Sequence, residues 1–146
     1  MDSEALVTAL ERITIGAVGL TARAFSEARP GVDITLPQWR ALMILGASSD
    51  GARIGEVAGR LGVTLPATGR LLRRLERRGL LAMATDPEDR RATRARLTEE
   101  GRGVVDAILE HRRGGLRRVA AAVAGGGPVD LAGGLDVIGE ELERLI

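Results

Sequence analysis

"IGEVAGRLGVTLPATGRLLRRLERRGLL", residues Ile54 to Leu81, is the stretch whose reading decides the fold. Its first part puts Ile54, Val57, Ala58 and Leu61 on one side of a short helix. "LGVT" at 61–64 interrupts that periodicity as a turn, and Thr64 is a residue type that caps a following helix. The next helix, predicted over 65–78, has two unlike faces. At about 100° per residue, Arg73, Arg74 and Arg77 lie within about 60° of Arg70, while Leu65, Thr68, Leu71, Leu72 and Leu75 gather on the other side. Gly79 stands just past its end, where a left-handed residue commonly stops a helix. Four like charges on one face repel, and only Glu76 is near enough in sequence to offset them, so local stability does not select this arrangement. Two helices joined by a three- or four-residue turn, the second of them basic, describe a helix-turn-helix. Such a second helix fits the DNA major groove, about 12 Å wide, and a guanidinium can bond guanine O6 and N7 together or clasp a phosphate.

Downstream lies "TDPEDRRATRARL", Thr85 to Leu97. The flanking stretches 80–84 and 93–97 are predicted strands, so this charged segment closes a hairpin directly after the basic helix. A hairpin in that place is a wing, and it can carry an arginine to a narrow minor groove, where the negative potential is concentrated. Asp89 and Arg91, two residues apart on a hairpin limb, project to one side, which predicts that Asp89 orients the Arg91 guanidinium. Arg90, Arg94 and Arg96 are then available for phosphates, and Pro87 limits the freedom of the tip. Asp86, Glu88 and Asp89 read as acids of a solvated loop, not as a metal site.

Upstream, Thr35 caps a helix with Pro37 in its first turn, which carries Trp39, Leu42, Met43 and Leu45 and stops near "SSDG" at 48–51. Residues 3–28 read as a long helix, capped by Asp2 or Ser3, on which Leu6, Leu10, Ile13, Ala17, Leu20 and Ala24 form a heptad-like seam that needs a partner helix. Thr98 caps another helix reaching about Ala124, with Glu99 and Glu100 in its first turn, where the dipole favours anions. Its glycines 101, 103, 114 and 115 predict bending or fraying near 114–115, since each costs roughly 1 kcal/mol against alanine. "GGGP" at 125–128 is a turn, and a last helix over 130–145 repeats the seam with Leu131, Leu135, Ile138, Leu142 and Leu145.

Composition bounds the function. The 146 residues, 45% hydrophobic, suffice for one compact domain with attached helices. The net charge is only +1, yet residues 53–97 hold 11 arginines against 5 acids, a basic middle between acidic ends that points to a local anionic partner. The absence of cysteine excludes disulfides and thiolate zinc sites and, with an N-terminus lacking a signal pattern and no long apolar run, fits the cytoplasm. One Phe, one Trp and no Tyr disfavour base stacking on single strands or RNA. His111, the one histidine, sits beside Arg112 and Arg113, and no nucleophile–base pair or phosphate-cradling glycine loop is present, so an enzyme is not expected.

"LPQWRALMIL", the opening stretch, "DPEDRR" and "LTEEG" occur in an order and spacing that resembles the MarR family of winged-helix transcription regulators, by motif over about 35–103 and by helix order over the whole chain. The resemblance implies a mostly α fold with a small β-hairpin wing: a winged helix-turn-helix lobe over about 35–97, and dimerisation helices at about 3–28 and 98–146. It implies a homodimer binding a palindromic operator in double-stranded DNA as a repressor, without a cofactor, and often released by a small aromatic or anionic effector. The implied DNA-contacting set is Thr64, Pro66, Ala67, Thr68, Arg70, Arg73, Arg74, Arg77, Asp89, Arg90, Arg91 and Arg94, with Arg70 reading bases and Arg91 entering the minor groove. Ala67 and Gly69 depart from the family's usual hydroxyl residues. For an effector, Phe25, Trp39 and Met43 supply large soft side chains and Arg40 a partner for an acid group. The alternative is a winged-helix module that binds an acidic protein.

Overall fold

The computed structural model describes residues 3–124. The chain divides into two compact units, Met1–Gly115 and Leu116–Ile146. The "GGGP" turn and the last predicted helix lie outside the described residues.

In chain order the elements are α1 (Ser3–Glu27), α2 (Leu36–Gly46), β1 (Ala52–Arg53), α3 (Ile54–Leu61), α4 (Leu65–Arg77), β2 (Leu81–Thr85), β3 (Thr93–Leu97) and α5 (Glu99–Ala124). Capping chemistry sets several starts. Thr35 accepts the Gln38 N–H while the Gln38 side chain accepts the Thr35 N–H, a reciprocal box that opens α2. Thr64 accepts the Ala67 N–H at the start of α4, and Thr98 accepts the Gly101 N–H at the start of α5. Gly79 ends α4 as expected: its φ is +73°, and its N–H returns to the Glu76 carbonyl.

The core is built where the apolar faces of α2, α3 and α4 meet the sheet and the first half of α5. Leu42 and Leu45, Val57, Leu72 and Leu75, Leu81, Ala95, Val104 and Ile108 are all buried there. Each fully buried leucine contributes roughly 1.5–3 kcal/mol over its exposed state. Two contacts tie α1 and the segment after it to α5: an ion pair of Arg29 with Glu100 at 2.8 Å, and His111 Nε2 at 3.4 Å from the Glu27 carboxylate.

The structure differs from the sequence reading in three ways. The wing is a three-stranded antiparallel sheet in the order β1-β3-β2, not a two-stranded hairpin. The extra strand has two residues, too short for any periodicity, and exists only because Ala52 and Arg53 pair with Ala95 and Arg94 of β3. The β2 strand is displaced by one residue from the predicted 80–84, because Leu81 pairs with Leu97 and Thr85 with Thr93. Finally, α5 continues through Gly114 and Gly115 without a break. Gly115 is where α5 lies close against Leu20 of α1, so its missing side chain permits the packing that its flexibility would otherwise undermine.

Candidate nucleic-acid interface

The arginines of α4 stand as the helical spacing predicts. Leu72 and Leu75 are buried and fix the helix to the core, which turns Arg70, Arg73, Arg74 and Arg77 to solvent. Among the described residues, none of these four guanidiniums has a carboxylate or carbonyl partner. Glu76, the one acid beside them, accepts the Met83 N–H of β2 at 2.9 Å and so faces the sheet. Arg73 lies back along the helix with its guanidinium over Gly69, the direction helical side chains take toward the N-terminus. Together α3, the start of α4 and the wing border a groove of about 600 Å³ into which Arg53, Arg73 and Arg91 all reach.

Other members of the predicted set are placed differently. Thr64 serves as a cap, with its hydroxyl accepting the Ala67 N–H and its carbonyl accepting from Thr68. Pro66 is exposed and Ala67 half-buried in the first turn of α4. Thr68 is fully buried, and its hydroxyl donates to the Thr64 carbonyl at 3.1 Å. It is therefore removed from the exposed face: the apolar side of the helix takes it inward, and the i−4 bond satisfies its hydroxyl. Leu65 moves the other way. The wheel assigns it to the core face, but it is 55% exposed, because the first turn of α4 extends past the end of the core.

The largest difference is at Asp86. Read from sequence as a solvated loop acid, it is 1% exposed and anchors the wing. Its Oδ2 accepts from Arg53 Nε at 3.0 Å and from Arg94 Nε at 2.8 Å. Its Oδ1 accepts from Arg53 Nη2 at 3.3 Å and from the backbone N–H groups of Glu88 and Asp89 at 2.8 and 3.1 Å. The Arg53 guanidinium, together with Arg94 and the two amides, holds this carboxyl well below the usual carboxylate range, against the opposing effect of its burial. The sheet register explains why an acid is needed. Arg53 of β1 stands directly opposite Arg94 of β3, and like charges so placed are destabilising. Asp86 lies between them and offsets both.

Arg94 is consequently not free for a phosphate, since it is committed to Asp86 and also donates to the Asp50 carbonyl. Arg96 likewise donates to that carbonyl at 3.0 Å. Arg90 and Arg91 are exposed at the wing tip. Asp89 and Arg91 belong to the loop between β2 and β3, so the alternation of strand side chains does not apply to them. Asp89 Oδ1 accepts the backbone N–H of Arg91 at 3.0 Å, which orients the loop and not the guanidinium. The signal for the Asp86 anchor, an acid at the mouth of a hairpin with arginines on flanking segments, is present in the sequence but becomes specific only once β1 is seen to join the sheet.

The predicted effector residues are dispersed in role. Trp39 is 5% exposed and belongs to the core. Phe25 packs on it, with ring centroids 5.7 Å apart and the planes tilted by 54°. Met43 lies on the surface of α2. Arg40 donates to the Arg60 carbonyl at 3.2 Å near the end of α3, so in this arrangement its guanidinium serves the helix terminus.

Among the described residues no helix is long and apolar enough to cross a membrane. The MarR family model matches residues 32–92, which contain the helix-turn-helix and the wing tip. The crystal structure of RV1404 from Mycobacterium tuberculosis superposes with a TM-score of 0.81 at 31% identity, covering 97% of this chain and 95% of that one. The HTH-type transcriptional regulator YfiV of Bacillus subtilis is 27% identical over 113 residues, 77% of this chain and 70% of its own length. The HTH-type transcriptional repressor IacR of Pseudomonas putida is 30% identical over 82 residues, 56% of this chain, which spans about half of the repressor's length. The match of the helix-turn-helix and wing tip to the MarR family model over residues 32–92, with the likeness to RV1404 over nearly the whole chain, places the chain in the MarR family of transcription regulators.

Proposed function

We propose that this regulator binds a palindromic operator in duplex DNA as a homodimer and acts in the cytoplasm as a repressor responsive to a small aromatic or anionic effector. The observation that carries the reading is the set of unpaired guanidiniums on the outer face of α4 beside the groove to the wing. Arg70 reads a guanine edge, Arg73, Arg74 and Arg77 hold phosphates, and Arg90 and Arg91 reach the flanking minor groove. Thr64, Pro66 and Ala67 bring the N-terminus of α4 close to the backbone, with Asp89 shaping the tip that carries Arg91. A second copy covers the exposed apolar residues Ile13, Ile15 and Val18 of α1, making residues 3–28 and 98–146 the dimerisation part of a single functional domain. IacR, by its name a repressor, supports the sign of regulation.

A gel shift with the protein's own upstream region, beside a random duplex, tests the reading. Arg70→Ala is expected to cost roughly 1–3 kcal/mol on the operator and much less on random DNA. Equal losses on both would remove Arg70 from base reading. Replacing Arg73 or Arg74 is expected to lower the salt slope of log K by about one for each phosphate no longer neutralised.

Effector binding is proposed near Phe25, Trp39, Arg40 and Met43. Trp39 is the one tryptophan, and its fluorescence is expected to change on titration with aromatic acids. A flat response across a panel of such acids would argue against this site.

A further inference from the structure

Leu65 is the first residue of α4 and more than half exposed, whereas Leu72 and Leu75 of the same helix are fully buried. It lines the groove between α4 and the wing together with Pro66, Gly69, Arg73 and Arg91. Leu65, Gly69 and Arg73 follow one another at intervals of four, so they form one row along the helix. The row begins with a branched apolar side chain, passes a residue without one, and ends in a guanidinium. Pro66, beside it, has no N–H to offer a phosphate. The start of α4 thus presents a small apolar surface, Leu65 and Pro66, in a groove whose lining also carries Arg53, Arg73 and Arg91 with Glu56 and Asp89, beside the wing that the reading above directs at DNA.

The major-groove edge of a base pair carries one apolar feature, the C5-methyl of thymine. We propose that Leu65 receives a thymine methyl and specifies thymine at one position of each operator half-site. Arg73 and Arg91 beside it match the phosphates that flank any base step, and the exposed leucine suits a methyl and no hydrogen-bonding edge. This inference rests on the duplex-binding reading and assigns Leu65 a part in specificity that the arginines cannot supply.

Replacing thymine by deoxyuridine removes the methyl and leaves base pairing intact, so each thymine of a selected operator can be exchanged in turn and the affinity measured. Full-length protein is expected to lose about fourfold at one position per half-site, the worth of one buried methyl-sized group, and about fifteenfold when both half-sites are changed. With Leu65→Ala the ratio of thymine to deoxyuridine affinity at that position is expected to fall toward one, while binding to random duplex and the melting temperature hold. An unchanged ratio in Leu65→Ala overturns the proposal. So does a wild-type protein that binds its operator tightly and tolerates deoxyuridine everywhere. Failure to select any preferred duplex would overturn the operator reading itself, and this proposal with it, a result distinct from tight binding without methyl sensitivity.

Discussion

Asp86→Ala is expected to release the wing. The substitution leaves the Arg53 and Arg94 guanidiniums facing each other across a strand pair, without the carboxylate that both contact, and frees the Glu88 and Asp89 amides. Removing one partner from a buried charge cluster is the expensive direction, because Arg94 is left without a carboxylate and Arg53 with only the exposed Glu88, 3.6 Å away. Amide exchange is expected to accelerate across residues 86–97, and operator affinity to fall more than random-duplex affinity, since the tip bearing Arg91 loses its fixed position. Glu88→Ala is the control: Glu88 is a solvent-exposed member of the same loop, and its loss is expected to stay within about 0.5 kcal/mol. Adding Arg53→Leu to Asp86→Ala is expected to restore part of the lost stability by removing one of the two opposed charges. Unchanged exchange at 86–97 in the single variant would show that the wing does not depend on this anchor.

The same cluster predicts a pH response. The Asp86 carboxyl is held below its ordinary value, so the folded state binds its proton less readily than the unfolded chain. Its contribution to stability is therefore complete above the ordinary aspartate range, near pH 4, and is lost progressively as pH falls from there through the lowered folded value. Wing protection is expected to persist at pH 4 and to fail in stronger acid, with no change between pH 6 and 8 from this group.

The second large effect is at Gly101. A glycine inside a helix ordinarily costs about 1 kcal/mol relative to alanine, so Gly→Ala should stabilise. At Gly101 the sign reverses. A Cβ there would overlap the Leu80 carbonyl oxygen, which also accepts the Thr98 N–H at 3.2 Å and so holds its place. The helix would have to move off the turn after α4, and Gly101→Ala is expected to destabilise by roughly 1–3 kcal/mol. Gly114, in the same helix, has open space where a Cβ would stand, and Gly114→Ala is expected to stabilise by up to about 1 kcal/mol. Thermal or urea unfolding of the two variants checks the contrast, and equal shifts would show that the close approach at Leu80 is not tight in solution.

Much of the lobe is legible in the order of residues. The split of α4 into an arginine side and a leucine side follows from helical spacing alone, and so do the caps at Thr35, Thr64 and Thr98 and the stop at Gly79, because each involves atoms within four residues of one another. These local rules are enough for a helix-turn-helix with a basic outer face. Asp86 and Arg53, by contrast, are 33 residues apart in the chain, and nothing local indicates that a two-residue strand will bring them together. The same holds for Arg94, withdrawn from DNA by that carboxylate, and for Leu65, left outside because the core ends one turn before the helix does, whereas Thr68 turns inward as its helical spacing indicates. Gly101 is a weak point in a helix until the chain returns Leu80 to its side. Periodicity tells which side of an element is apolar, but only packing tells where the apolar contact stops and which charge finds a partner, since both depend on segments distant in sequence.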